Sequence, residues 1–171
     1  EKTGVPILSL YDGKSGRPSN ESMQKFDVLI VDIQDVGLRF YTYYITMVRL
    51  MDASAEHKKH VIIFDRPNPN GYYVDGPILD MKYKSGVGYL PIPVVHGMTL
   101  GELAQMVNGE KWLTDGKQVE LTVIPCLNYT HQTLYRLPIA PSPNLRNMLS
   151  VYLYPSVCLF EGTPVSLGRG T

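Results

Sequence analysis

Asp32, Gln34, Asp35 and Arg39 stand within eight residues, directly after the apolar run Val28-Leu29-Ile30-Val31. Asp65-Arg66 follows a second such run, Val61-Ile62-Ile63-Phe64. His96 ends the stretch from Pro91 to Val95, and Glu161 ends the stretch from Ser156 to Phe160. Carboxylates, one imidazole and guanidinium groups suit acid/base chemistry on a polar substrate. Glycoside hydrolysis is one such reaction: a protonated carboxyl assists the leaving group while a second group delivers or stabilises. A non-catalytic sugar-binding module offers the same inventory, and a small-molecule esterase or amidase is a third reading. The enzyme needs at least one carboxyl of perturbed acidity in a cleft, whereas the binding module does not.

Each of these residues also has an ordinary structural use. Asp32 and Asp35 can hydrogen-bond within their loop, and Asp65-Arg66 can brace a turn. The segment Arg66-Pro67-Asn68-Pro69-Asn70-Gly71 forces a turn, because each proline holds its predecessor extended. His96 can bond to backbone, and Glu161 can serve as a surface turn residue. Glu102 is different. Its three-residue spacing from Thr99 is that of a capping box, so it is assigned to the start of a helix rather than to chemistry.

The elements that must position these groups follow from periodicity. The run 28–31 is rich in β-branched residues and too short for a helix, so it reads as a strand buried on both faces. Phe40 to Lys58 reads as a long helix and Val61 to Phe64 as a second buried strand, which makes a β-α-β unit. A first strand is expected at Val5–Leu10, a brief helix at Asn20–Lys25 and a strand at Pro91–Gly97. Further on, a helix is expected from Met98 to about Gly109, a strand at Val119–Pro125, a helix at Leu145–Leu153 stopped by Pro155, and a last strand at Ser156–Phe160. Alternating strands and helices predict an α/β fold, a three-layer Rossmann-like sandwich with a mainly parallel sheet and right-handed crossovers. Ligands of such sheets bind outside the carboxyl ends of the strands. Asp32, Asp65, His96 and Glu161 are therefore expected to face one cleft there.

Composition narrows the classes. The 171 residues suffice for one domain, here 1–171, with a real core. Apolar residues at 44% against charged residues at 19% place the chain among globular proteins. Sixteen basic and sixteen acidic residues cancel, and no basic cluster appears, which argues against a nucleic-acid surface. No apolar stretch reaches the length of a membrane span. Residues 1–4 lack the apolar region of a signal peptide. Cys126 and Cys158 lack partners at metal-ligand spacing and read as buried thiols. No GxGxxG, P-loop, GxSxG or HExxH motif occurs, and no cofactor is expected. Both chain ends stop abruptly, which suggests part of a longer protein.

Five blocks together resemble one family. They are DVLIVDIQDVGLRFYTY, IFDRPNPNGYYVDGPILD, YLPIPVVHGMTLGELAQMVNGE, APSPNL and YPSVCLFEGTPVSLGRGT. On these the chain resembles the NamZ-like exo-β-N-acetylmuramidases of bacteria, along nearly its whole length and in the family's order. The resemblance implies a Rossmann-like N-terminal domain, a smaller C-terminal domain missing here, and removal of N-acetylmuramic acid from the non-reducing end of peptidoglycan fragments. It also implies a periplasmic or extracellular location. Carried over residue by residue, it points to Asp32, Gln34, Asp35, Arg39 and Tyr41; to Asp65, Arg66, Asn68 and Asn70; and to His96, Ser142, Asn144, Glu161 and Arg169. Glu161, Asp32 and His96 are the expected catalytic groups, and Asp35, Arg39, Asp65, Arg66, Asn68, Asn144 and Arg169 the expected substrate contacts. Arg39, Arg66 or Arg169 is expected to meet the lactyl carboxylate of muramic acid, which needs a cation. Family members carry an upstream Glu-His-Gly motif expected to supply a principal carboxylate. Nothing in this sequence corresponds to it, so the piece alone is expected to be inactive.

Overall fold

A computed structural model describes residues 3–10 and 16–165. Its centre is a parallel sheet of three strands in the order β1 (Val28–Val31), β2 (His60–Phe64), β3 (Leu121–Ile124). β1 pairs with β2 from Val28 opposite His60 to Val31 opposite Ile63, and β2 with β3 from Val61 opposite Leu121 to Phe64 opposite Ile124. Helix α1 (Asn20–Met23) precedes β1, α2 (Tyr43–Glu56) joins β1 to β2, and α3 (Leu100–Gly109) lies between β2 and β3. The β-α-β unit is thus as expected: an α/β fold on a parallel sheet.

The strands advance in one direction across the sheet. Right-handed crossovers then place both connecting helices on the same face. Alternation sorts the side chains accordingly. Val31, Val61 and Ile63, with Leu29, Leu121 and Val123, pack beneath α2 and α3. Tyr44, Met47 and Met51 of α2 and Leu103 and Ala104 of α3 are fully buried in that cluster. On the opposite face Val28, Ile30, Phe64 and Ile124 are 42%, 54%, 43% and 49% exposed. The expectation that the first strand is buried on both faces therefore fails, because among the described residues β1 is an edge strand with helices on one side only.

Three other expectations are corrected. Val5–Leu10 forms no strand and pairs with none among the described residues. Pro91–Gly97 contributes only single antiparallel bridges, Val95 opposite Leu38 and opposite Asp75. Ser156–Phe160 is helical, since α4 runs from Met148 to Val157 and tightens into a 3-10 turn at Cys158–Gly162. The start of α4 explains the error. Asn147 accepts the Ser150 N–H at 2.9 Å, and Ser150 reciprocates to the Asn147 N–H at 3.3 Å. This polar cap starts the helix three residues later than expected, and Pro155 falls inside its last turn. There its missing N–H costs one bond, and the helix continues until Cys158 N–H meets the Tyr154 carbonyl. The helix packs in a second core cluster with Val36, Leu38, Tyr41, Val95, Leu137 and Leu145, built from the loops rather than on the sheet.

Candidate active site

The loops after β1 and β2 interlock with the segment before α3. Gln34 donates to the Pro67 carbonyl at 2.9 Å, and Asn70 Nδ2 to the Val36 carbonyl at 2.9 Å. Asn68 Nδ2 donates to the Met98 carbonyl at 2.8 Å, while its Oδ1 accepts the Asn70 N–H at 2.8 Å. His96 N–H reaches the Gly37 carbonyl at 3.2 Å. Asn68, Asn70 and His96 are all buried, so the Arg66–Gly71 turn is a brace for three chain segments.

The sequence-derived residues divide among distinct environments. Asp32 and Arg66 form an ion pair at 2.6 Å, with both side chains nearly half exposed. Asp65 turns into the start of α3: its Oδ2 accepts Thr99 Oγ1 at 2.7 Å and its Oδ1 the Gly101 N–H at 2.8 Å. Gly101 permits this approach, since a Cβ there would lie 2.6 Å from Val123 and 2.8 Å from the Asp65 carboxyl. The capping box of Thr99 and Glu102 is present as read from the sequence. The other Glu102 oxygen takes His131 Nε2 at 2.9 Å. Although burial opposes the charged ring, the Gly71 carbonyl and Glu102 carboxylate together raise His131 above its ordinary value.

Asp35, Arg39 and His96 are buried. Arg39 Nη1 donates to the carbonyls of Pro77 at 2.9 Å and Ile92 at 2.7 Å, so the guanidinium is spent on backbone. Asp35 Oδ1 accepts the Gly37 N–H at 2.8 Å, and His96 Nδ1 accepts the Met98 N–H at 3.3 Å. Asp35 Oδ2, His96 Nε2, Asn70 Oδ1 and Arg39 Nε have no hydrogen-bond partner among the described residues. Burial pushes the Asp35 carboxyl up to about 7, against the pull of the Gly37 N–H, and depresses His96 to about 4.

These two shifts act oppositely on stability. Between about pH 4 and 7 native Asp35 keeps a proton that the unfolded chain releases, so its contribution falls as pH rises. Between about pH 4 and 6.5 unfolded His96 binds a proton that the native ring refuses, so its contribution rises. Each contribution is on the order of a few kcal/mol, and they largely cancel. Asp35→Asn should leave a melting temperature that climbs from pH 4 to 6.5, and His96→Asn one that falls from pH 4 to 7. Wild-type profiles in both variants would contradict these assignments.

Glu161 and Asn144 lie elsewhere, in a groove of about 780 Å³. Phe40, Tyr41 and Tyr43 form part of its wall, with the Tyr41 and Tyr43 ring centres 4.5 Å apart. Segment 142–147 forms another part, and Leu153, Tyr154 and Val157 of α4 a third. Tyr154 donates its hydroxyl to Glu161, and its ring meets Tyr41 edge-on at 6.5 Å. Tyr41 in turn donates to the Pro141 carbonyl at 3.0 Å, tying the turn before α4 to the loop after β1. The groove combines aromatic faces with hydroxyl, amide and carboxylate groups, a lining able to hold a ligand that has both an apolar face and polar substituents.

The single cleft expected for Asp32, Asp65, His96 and Glu161 is thus not formed by the described residues. Asp32, Asp65 and His96 do not line the groove. Asp65 caps a helix, His96 is buried, and Glu161 sits on a helical turn rather than at a strand end. Arg169 falls outside the described residues. The sequence reading missed Tyr43, Tyr154, Arg146 and Asn147 as groove residues. The three-residue spacing of Asn147 and Ser150 was the available signal, because it marks the helix start that shapes this wall. Among the described residues no group of three or more His, Cys, Asp or Glu is arranged to hold a metal ion, and no helix is long and apolar enough to cross a membrane.

Comparison with known proteins gives concordant matches. The family described as "Exo-beta-N-acetylmuramidase NamZ, N-terminal" matches residues 1–149. The chain is 46% identical over 176 residues to the peptidoglycan beta-N-acetylmuramidase NamZ of Bacillus subtilis strain 168, covering all of this chain and 41% of that protein. A crystal structure of a DUF1343 family protein from Bacteroides fragilis NCTC 9343 superposes with a TM-score of 0.92 at 76% identity, over 99% of this chain and 46% of its own. A second DUF1343 structure from the same strain gives 0.86 at 38% identity, over 93% and 42%. The chain thus spans under half the length of these relatives.

Proposed function

The chain belongs to the family of NamZ N-terminal exo-β-N-acetylmuramidase domains, and from that premise we propose that it supplies a substrate-binding wall and one acid/base carboxylate of a peptidoglycan glycoside hydrolase. The whole enzyme removes N-acetylmuramic acid from the non-reducing end of peptidoglycan fragments, outside the cytoplasm, with this chain as one Rossmann-like domain of a longer two-domain protein. One observation carries the reading: Glu161 shares a groove with the Tyr41–Tyr43 pair and with Asn144.

The division of labour follows from the surroundings. The tyrosine faces hold the apolar face of a sugar ring, and Asn144 with Ser142 meets its polar substituents. The Tyr154 hydroxyl fixes the Glu161 carboxylate. In this reading Glu161 gives or takes a proton at the glycosidic oxygen or at water, with the upstream carboxylate implied by the family resemblance as its partner. Buried Asp35, His96 and Asn68 hold the loop that carries Tyr41 and leads into α2, which begins at Tyr43.

The direct test is incubation of the full-length protein with peptidoglycan fragments ending in non-reducing N-acetylmuramic acid. Release of the free monosaccharide, and no internal cleavage, is the expected result. Release of larger fragments would refute exo action. Binding without any cleavage would favour a non-catalytic sugar-binding domain.

A further inference from the structure

The sequence offered Arg39, Arg66 and Arg169 as partners for a substrate carboxylate. Arg39 is buried against two carbonyls, and Arg66 is paired with Asp32. Of the other described arginines, Arg17 pairs with Glu56 at 2.9 Å and Arg49 lies over the Tyr89 ring. Arg136 is exposed and does not line the groove. Arg146 is exposed, forms no ion pair with a described residue, and does line it.

We propose that Arg146 is the residue that selects for muramic acid, by binding the carboxylate of its lactyl ether. This rests on the muramidase reading above and names the group that would distinguish this sugar from its parent. N-Acetylmuramic acid differs from N-acetylglucosamine only by that ether, which adds one carboxylate. A cation is the most direct way for a site to prefer the former. Among the described groove residues Arg146 is the only cation and Glu161 the only anion. The two lie on different segments, so a sugar in the groove can meet a guanidinium with its lactyl group and a carboxylate elsewhere.

The backbone around Arg146 is held on both sides. Leu145 is buried, and its N–H bonds to the Ser142 carbonyl at 3.1 Å, closing a turn. Asn147 is locked as the cap of α4 through Ser150. The backbone from which Arg146 projects is thus fixed by its own hydrogen bonds, and the planar guanidinium can meet a carboxylate through two parallel N–H donors.

The test measures binding of free N-acetylmuramic acid and free N-acetylglucosamine to the full-length protein, wild type and variants, by calorimetry. Wild type should bind the acid more tightly, and Arg146→Gln should lower that preference roughly 10- to 100-fold, in line with a charge-assisted hydrogen bond. Affinity for N-acetylglucosamine should stay unchanged, Arg146→Lys should keep part of the preference, and Arg136→Gln all of it. A preference that survives Arg146→Gln would overturn the proposal. So would equal losses for both sugars, or no preference in the wild type. Failure of the hydrolase reading is separate, since it appears as absence of cleavage while these affinities can still follow the pattern described.

Discussion

Glu161→Gln in the full-length protein is expected to lower kcat on a muramic-acid glycoside roughly a hundredfold or more, as loss of a general acid or base does. The substitution keeps size and an amide oxygen that can still accept the Tyr154 hydroxyl, so the local fold should persist. Only the proton-transfer function is removed. KM should change little, because Asn144, Ser142 and the Tyr41–Tyr43 pair still hold the sugar. A loss confined to KM would reassign Glu161 to substrate contact. Wild-type kcat and KM together would remove it from the site.

The second large effect concerns stability rather than rate. Gly37 has φ +77°, and a Cβ there would come within 2.3 Å of the Asn68 side chain. Asn68 is 3% exposed and already held by Met98 and Asn70, so it has no room to yield. Gly37 also donates to Asp35 and accepts from His96. Gly37→Ala combines left-handed backbone strain with a clash at the joint of three loops, at a cost of about 3 to 5 kcal/mol. Thermal unfolding should begin roughly 10 °C lower. Gly109→Ala is the contrast: among the described residues no atom beyond its chain neighbours and its own helix backbone lies within 4 Å of its Cβ position, and its melting temperature should hold or rise slightly. Equal behaviour of the two variants would disprove the account of the Gly37 joint.

The β-α-β unit was legible because its two strands are short β-branched runs separated by a long helical pattern. The α3 cap was legible because Thr99 and Glu102 carry their partnership in their spacing. Val157-Cys158-Leu159-Phe160 misled, since a short apolar run reads equally as strand or buried helix when its flanks are ambiguous. His96 and Asp35 were visible as polar residues after apolar runs, but pattern alone does not say which way a side chain turns. Whether such a residue is exposed or buried depends on long-range pairing such as the bridges of Leu38 and Asp75 to Val95. Arg146 was overlooked for the reverse reason. It follows no strand, and it matters only because the groove forms around it.

The uncovered face of the sheet bears on how the molecule behaves as a colloid. Val28, Ile30, Phe64 and Ile124 form an apolar surface beside the edge of β1, which no strand pairs with among the described residues, an arrangement that invites edge-to-edge association. Sixteen positive and sixteen negative side chains leave no net charge at neutral pH to keep copies apart. Handled by itself, the 171-residue segment will therefore be least soluble near neutrality, and shifts in pH that charge it in either direction will disperse it.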